Sequence, residues 1–324
     1  MPVVLGVSKA EDEYHLYLQI PIPLRDTIST RIVTGQGKTV NQAVDKISRD
    51  MESSVDLLHV KVILIHKRMA QEGVKDFIAG IMRSREVSPK AMVAISDDDL
   101  ETFFAKIKNS TEPEGTNLYD FFEKNAGWSP QLALTRIWHL YRSIHSYTRD
   151  VPIPILRTGN TTLVELAGSA VIKNGKMVEE ISPDETLLYN AFYGESTTGK
   201  IEVLDRASVM ILDNKINHES TIKAGIPHLK SMLQLNVMVL ETIGNPTNDQ
   251  IKRDLNMLLT NRFNNMVKKL QESEADILGI GQLFRRHIPR NELKQWRTRY
   301  FPEMYCDFEV KTDIQNTGNL KGPQ

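Results

Sequence analysis

Two glycine-lysine segments carry residue types that could bind nucleotide phosphates. Residues 35–39 (GQGKT) resemble the end of a P-loop, and residues 194–200 contain a glycine, four residues and a Gly-Lys pair. A P-loop needs a glycine at both ends of that spacing and a hydroxyl residue after the lysine. The first segment has Ile32 at the leading glycine position, and the second has Ile201 after its lysine. We predict a turn in each segment, with a nucleotide-dependent cytosolic enzyme built on either lysine as an alternative.

The histidines and acidic residues show no metal-binding pattern. His139 and His145 are six residues apart, which places them on different faces of a helix. The acidic run Asp97–Asp99 lacks the spacing of an EF-hand loop, and it suits the N-terminus of the helix that follows it. We therefore predict that the chain binds no metal ion and no cofactor.

The other reactive residue types also lack the partners of a catalytic site. His59 and Lys61 are two residues apart, so both side chains lie on one face of the apolar strand that they begin. They could form a catalytic pair, but we favour a structural histidine that bonds to a backbone carbonyl. Glu185 has no neighbouring partner for acid–base work. Cys306 alternates with charged residues and is interpreted as a small buried side chain. We predict no catalytic residue and no enzyme activity.

The composition is typical of an ordinary globular protein. The chain has 324 residues, 40% of them hydrophobic and 25% charged, with a net charge of -1. This balance argues against a dedicated nucleic-acid binder, which would carry a basic excess. No apolar run approaches the roughly 18 residues of a membrane span. No signal peptide precedes the first predicted strand, so we expect that the chain starts downstream of an export segment.

The first half of the chain alternates strand and helix patterns. Strands are predicted at Val3–Val7, Tyr14–Ile22, Arg31–Thr34, Val60–Ile65 and Ala91–Ile95, with helices after Thr39, at Val74–Met82, after Asp99 and after Ser129. The proline-rich segment Val151–Pro154 cannot be helical, and we place the main domain boundary beside it. Residues 1–155 are therefore predicted to form a mixed α/β N-terminal domain, in which residues 112–116 form a loop.

The second half is predicted to be an α+β domain at residues 156–318, with a further division near residue 200. Asn174-Gly175 predicts a hairpin turn, Ser182–Glu185 predicts a helix start, and Thr247 and Gln250 have the spacing of a capping box. Three alternating segments are expected to form one antiparallel sheet, packed by long helices of which Ile251–Leu270 is the longest: Ala207–Ile216, Leu229–Leu240 and Met304–Ile314. Residues 319–324 are predicted to be a disordered tail. The fold class is therefore α+β.

A short segment after the long helix has the residues of a structural corner. Asp276 follows the predicted helix end, so its carboxylate can accept hydrogen bonds from the amides of Leu278 or Gly279. Gly279 and Gly281 would let this turn lie close against the sheet. We expect the loss of this cap to cost about 1 kcal/mol.

Several segments together resemble one protein family. The run 59–65 (HVKVILI), followed by 69–74 (MAQEGV) and a helix, is similar to the C subunits of bacterial spore germinant receptors, the Ger(x)C lipoproteins. Residues 37–43 resemble the start of a helix in that family, and residues 168–173 (GSAVIK), 176–178 and 183–186 resemble a second motif. The most specific match is 275–281 (ADILGIG), followed by Pro289, Trp296, Phe301-Pro302 and Gly318. These matches run in order from about Val3 to Gly318.

The resemblance implies a set of signature positions with structural roles: His59, Lys61, Gly168, Glu185, Asp276, Gly279, Gly281 and Trp296. It also implies a non-enzymatic lipoprotein of sporulating bacteria, required for nutrient-triggered germination. Family members begin with a secretion signal and a lipid-modified (palmitate-bearing) cysteine, which this sequence lacks.

The resemblance further implies a location and partners. The full-length protein would be anchored by its lipid on the outer face of the spore inner membrane. It would act beside an integral membrane subunit and a larger membrane-associated subunit that together sense nutrients, and it would not bind nucleic acid. An extracytoplasmic domain that itself binds the nutrient is the second alternative.

Overall fold

A computed structural model describes residues 1–23, 28–52, 55–109, 118–122 and 129–316. The predicted loop at 112–116, the predicted tail at 319–324 and the motif residue Gly318 lie outside these ranges. The chain forms two compact units. Unit 1 contains residues 1–146 and 150–180, and unit 2 contains residues 147–149 and 181–324.

Unit 1 is built on an eight-stranded mixed sheet. Its strand order is β3-β2-β1-β4-β5-β6-β7-β8. The four adjacent strands β1, β4, β5 and β6 run parallel to one another. The strands are β1 (Val4–Ala10), β2 (Glu13–Pro23), β3 (Ile28–Gly37), β4 (Val62–His66), β5 (Met92–Ser96), β6 (Val151–Thr158), β7 (Val164–Lys173) and β8 (Lys176–Ile181).

Helices cover both faces of this sheet. They are α1 (Val40–Asp50), α2 (Lys67–Glu72), α3 (Lys75–Ser84), α4 (Leu100–Lys108), α5 (Leu118–Phe122) and α6 (Ile137–Ile144). One core contains the apolar faces of α1, α3 and α6, and the second contains α4 and α5. Both faces of β4 and β5 are therefore buried, which explains their continuous apolar runs.

The observed division of the chain differs from the expected boundary at residue 155. Residue 155 lies inside β6, and β7 pairs antiparallel with β6 along its whole length. The β7–β8 hairpin, predicted from Asn174-Gly175, therefore extends the sheet of unit 1 to Glu180. The change of unit comes at the start of the next helix, α7 (Pro183–Phe192).

Unit 2 contains a four-stranded sheet with the order β12-β11-β10-β9. Its strands are β9 (Ile201–Val203), β10 (Ala207–Lys223), β11 (Ile226–Thr242) and β12 (Tyr305–Asn316). The strands β10 and β11 form an antiparallel hairpin, as predicted, whereas β12 runs parallel to β11. The expectation of a wholly antiparallel sheet is therefore wrong. A long crossover of 62 residues, Ile243 to Met304, connects β11 to β12, and parallel neighbours require a crossover of this kind.

The longest helix of unit 2, α8 (Asn248–Glu272), covers the inner face of this sheet, as predicted. Thr247 and Gln250 form a reciprocal capping box at its start. Phe263 of α8 stacks on Phe308 of β12 with ring centroids 3.8 Å apart. After α8 the chain forms short turns: a 3₁₀ turn at Ile280–Gln282, another at Glu292–Gln295, and a π-helical segment at Trp296–Tyr300.

Candidate functional site

The signature aspartate is the centre of a buried corner in unit 2. Asp276 is fully buried, and its carboxylate accepts hydrogen bonds from the amides of Ile280 (2.9 Å) and Gly281 (2.8 Å). The indole Nε1 of Trp296 donates to the same carboxylate at 2.8 Å. The capping role expected for Asp276 is present, but the expected donors Leu278 and Gly279 are wrong. The carboxylate accepts from amides two residues further along the chain, and it also binds a side chain 20 residues away.

The two signature glycines are required by close packing at this corner. Gly279 has a φ of +62°, and a Cβ there would lie 2.8 Å from Nε of Arg149 and 2.9 Å from the hydroxyl of Tyr193. A Cβ on Gly281 would lie 2.7 Å from Cβ of Thr148 and 2.8 Å from Nε1 of Trp296. The glycines therefore let the corner approach the segment 147–149 and the indole, rather than the sheet as expected.

We expect Gly281→Ala to lower the free energy of unfolding of unit 2 by about 1–3 kcal/mol, because the added methyl group overpacks a closed site. Neither neighbour of that methyl group is the end of a flexible chain, since one is the Cβ of Thr148 and the other is the indole. Urea denaturation followed by circular dichroism measures the change. Met257→Ala is the control for unit 2, since Met257 is 61% exposed on α8. A loss for Gly281→Ala no larger than that of the control would contradict the packing argument.

Trp296 completes the corner. Its ring is fully buried and stacks on Phe284 with centroids 5.3 Å apart. A buried indole needs a partner for its N–H group, and Asp276 supplies it. The signature Asp, Gly, Gly and Trp residues thus form one continuous structural unit.

Glu185 also has a structural role. It forms a capping box with Ser182 at the start of α7, as the Ser-Pro-Asp-Glu pattern predicts. Its side chain is 7% exposed and forms an ion pair with Lys269 of α8 at 2.9 Å. The pair connects α7 to α8. Lys269 is 84 residues away in the chain, and no local pattern indicated it.

The remaining signature residues lie in unit 1. His59 and Lys61 are exposed and precede β4, which begins at Val62, so the buried strand position expected for them is wrong. The backbone of Lys61 connects β1 to β5, because its N–H donates to Val3 and its carbonyl accepts from Met92. Gly168 has a φ of +134° at a bulge in β7, where the pairing with β6 shifts by one residue.

The turn predicted for the first glycine-lysine segment is wrong, because residues 35–37 are the end of strand β3. The second segment contains turns, as predicted. A Cβ on Gly35 would lie 2.5 Å from Ile47, and one on Gly37 would lie 2.9 Å from the backbone of Ala43. These glycines therefore allow α1 to lie against β3. In the second segment, Lys200 forms an ion pair with Asp184 at 3.3 Å, and its side chain is 19% exposed.

Cys306 lies on β12, half-buried, and burial raises the pKa of its thiol to about 12, with a smaller contribution from Asp307. An ordinary cysteine has a pKa of about 8.5, and only the thiolate reacts readily. We therefore expect iodoacetamide to modify native Cys306 slowly at pH 8 and to modify the urea-unfolded chain at least tenfold faster. Mass spectrometry measures the two rates. Equal rates would contradict the assignment of a half-buried, protonated thiol.

A cleft in unit 1 was not indicated by any sequence motif. It has a volume of about 510 Å³ and lies between α1 and α3, with Tyr14, Leu57 and Val87 among its lining residues. Its floor belongs to the apolar core, while Asp76, Arg83 and Glu86 lie on its rim. The signal that could have located it is Gly80, a glycine in the middle of a helix.

No group of three or more His, Cys, Asp or Glu side chains able to hold a metal ion occurs in the described ranges. In those ranges, no helix combines the length and the apolar composition that a membrane span requires.

Two family models match this chain. One, described as the spore germination protein N-terminal domain, matches residues 1–158. The other, described as spore germination B3/GerAC like, C-terminal, matches residues 167–318. The second model contains the Asp276 corner, the capping box of α7 and the whole sheet of unit 2.

Individual relatives agree with these matches. The chain is 18% identical over 303 residues to spore germination protein GerQC of Bacillus cereus, covering 89% of this chain and 82% of that protein. It is 20% identical over 370 residues to spore germination protein KC of Bacillus subtilis (strain 168), covering 98% and 89%. The crystal structure of the GerBC protein has the same fold, with a TM-score of 0.65 at 16% identity over 96% of this chain and 97% of that chain. The chain therefore belongs to the Ger(x)C family of spore germination proteins.

Proposed function

We propose that this chain is a non-enzymatic lipoprotein subunit of a spore nutrient germinant receptor. The observation that supports it best is the match of two spore germination family models, which together span residues 1–158 and 167–318. The relatives that cover most of the chain carry the name spore germination protein.

The roles of the signature residues support a scaffold rather than a reactive centre. The Asp276 carboxylate accepts hydrogen bonds from two amides and an indole. The Glu185 carboxylate accepts from the amide of Ser182 and forms an ion pair with Lys269. The three signature glycines either adopt a positive φ or allow close packing: Gly168, Gly279 and Gly281. These residues stabilise the two units, so function would depend on the surfaces that the units present.

Unit 2 offers apolar surface for contact with partner subunits. Val203 on the edge strand β9 is 73% exposed, its neighbour Ile201 is 45% exposed, and Ile243 after β11 is 74% exposed. Edge strands with exposed apolar side chains are prone to associate with other chains. In the proposed receptor, this surface contacts the integral membrane subunit or the larger membrane-associated subunit. A lipid on an N-terminal cysteine of the full-length protein holds it on the outer face of the spore inner membrane.

A germination assay tests the proposal. Spores without this gene should germinate poorly on the nutrients of its receptor and normally with a trigger that bypasses receptors. The full-length lipoprotein should restore the response, whereas this chain expressed without a lipid anchor should not. Full restoration by the unanchored chain, with the protein in the cytosolic fraction, would contradict the proposal.

One variant connects the assay to the structure. Val203→Asp in the full-length protein should leave its folding unchanged and reduce both recovery of partner subunits by affinity purification and nutrient germination at least tenfold. Met257→Asp is the matched control, since Met257 is 61% exposed and lies on α8 rather than on β9. If both variants behave like the parent, the β9 surface is not a subunit contact.

The alternative of a nucleotide-dependent enzyme is tested by nucleotide titration with Lys38→Ala and Lys200→Ala. We expect no binding by the parent chain, because the glycines of these segments serve packing and turns. The alternative of a ligand-binding domain is favoured by one observation, the cleft between α1 and α3.

A further inference from the structure

Gly80 occupies a position where the fold does not require glycine. It lies inside α3, and a Cβ added there would have no heavy atom within 4 Å. Glycine in a helix interior costs about 0.5–1 kcal/mol relative to alanine. At Gly281 close packing explains the glycine, but at Gly80 the side-chain position opens into the cleft. The absence of a side chain at Gly80 therefore keeps the cleft open at a cost in helix stability.

The cleft has the size and lining of a small-molecule site. Its volume of about 510 Å³ lies within the roughly 300–1,000 Å³ of known ligand sites. Phe77 and Ile81 are buried on the α3 side of the cleft, and the half-buried Val40 lies on the α1 side. An occupant therefore needs apolar side chains that point toward this floor.

The rim of the cleft carries separated charges of opposite sign. Asp76 and Arg83 lie seven residues apart on α3, so they share one face of the helix at an axial separation of roughly 10 Å. Gly80 lies between them. Within the described ranges neither side chain forms an ion pair, and both are exposed. The acid Glu86 also lies on the rim, three residues after Arg83.

This charge pattern fixes the chemistry of the occupant. A single amino acid carries its ammonium and carboxylate groups on one carbon and cannot place them at both ends of this separation. An extended chain of three residues spans roughly 10 Å. Its first and third side chains point to the same side, as the apolar floor requires.

We propose that the cleft of unit 1 binds a short peptide of about three residues with free termini and apolar first and third side chains. The ammonium group faces Asp76, the carboxylate faces Arg83, and the backbone passes over Gly80. Glu86 lies close to the carboxylate end and weakens binding there. This peptide site goes beyond the proposed receptor role and does not depend on it.

Isothermal titration of the full chain with the tripeptide Val-Ala-Val tests the site. We expect a dissociation constant below 1 mM for the free peptide, and binding at least tenfold weaker for the N-acetylated, C-amidated peptide and for free valine. The peptide site is refuted if Val-Ala-Val does not bind at 10 mM, if the blocked peptide binds as well, or if free valine binds as tightly.

Variants at Gly80 separate occupancy from folding. Gly80→Leu should fill the cleft and abolish binding, while its circular dichroism spectrum and melting temperature remain those of a folded chain. Gly80→Ala is the matched control, since it adds one methyl group, should raise the melting temperature and should change affinity less than threefold. A fall in melting temperature for Gly80→Ala would show that glycine is required structurally, which would overturn the argument from Gly80.

Charge variants test the orientation of the peptide. Asp76→Asn should weaken binding of the free peptide about fivefold and leave binding of the N-acetylated peptide unchanged. Arg83→Gln should likewise weaken binding of the free peptide about fivefold and leave binding of the C-amidated peptide unchanged. Glu86→Gln should strengthen binding two- to threefold. If Asp76→Asn weakens the free and N-acetylated peptides equally, the assignment of the ammonium group to Asp76 is wrong.

Discussion

Asp276→Ala should lower the free energy of unfolding of unit 2 by about 3–5 kcal/mol, the largest loss that we expect from any single change in the chain. The substitution leaves the amides of Ile280 and Gly281 and the indole N–H of Trp296 without their acceptor in a fully buried site. Each buried donor left unsatisfied costs about 1–3 kcal/mol. An ordinary exposed helix cap is worth only about 1 kcal/mol, which is the loss that the sequence alone indicates.

Asp276→Asn should not rescue the corner. The asparagine amide has only one acceptor oxygen. Its NH₂ group would take the place of the other carboxylate oxygen and would therefore face a backbone N–H donor. We expect a loss of at least 2 kcal/mol by urea denaturation, given the cost of about 1–3 kcal/mol for each unsatisfied donor.

The matched control for these variants is an exposed aspartate of the same unit. Asp313→Ala removes a carboxylate that is 82% exposed and lies 3.5 Å from Lys252. Surface pairs of this kind contribute about 0–1 kcal/mol. If Asp276→Ala costs no more than Asp313→Ala, the carboxylate does not stabilise the corner.

Helices and strands were predicted well where one local pattern decides them. The capping boxes at Ser182–Glu185 and Thr247–Gln250 begin helices in the structure, and Asn174-Gly175 forms a hairpin turn. In these cases the residues that determine the structure lie within a few positions of each other. Local hydrogen bonds and backbone preferences therefore carry the information.

The direction of β12 could not be predicted in the same way. Alternation of apolar and charged residues shows which face of a strand is buried, but both strand directions have the same alternation. The crossover through α8 and the turns after it determines the direction, and its path depends on tertiary packing around Asp276. The family motif nevertheless indicated that this segment matters, although local reasoning assigned the wrong donors to it.

The cleft of unit 1 was missed for a related reason. Gly80 interrupts a helix pattern by only one residue, and sequence alone cannot distinguish a glycine that allows close packing from one that leaves a space. In the sequence, Asp76 and Arg83 cannot be distinguished from ordinary charged residues on a solvated helix face. Only the position of α1 opposite α3 makes them the rim of a cleft.

A second large effect is expected at the ion-pair network of unit 2. Arg262 of α8 binds Glu202 of β9 through two hydrogen bonds, at 2.9 Å and 3.3 Å, and also lies 3.3 Å from Asp184. The Glu202 side chain is 4% exposed and that of Arg262 is 15% exposed. Arg262→Met should therefore lower the free energy of unfolding by about 3 kcal/mol at pH 7, because a buried carboxylate loses its partner.

The double variant Arg262→Met, Glu202→Leu decides whether the pair or the charge matters. Replacing both partners by apolar side chains removes the uncompensated charge, and such replacements are often neutral or stabilising. We expect the double variant to recover at least half of the loss, which corresponds to a coupling energy of about 2 kcal/mol in a double-mutant cycle. Lys268→Met is the exposed control, since Lys268 is 76% exposed and 3.9 Å from Glu272. If the losses of the two single variants simply add, Arg262 stabilises unit 2 by packing its aliphatic stem rather than by neutralising Glu202.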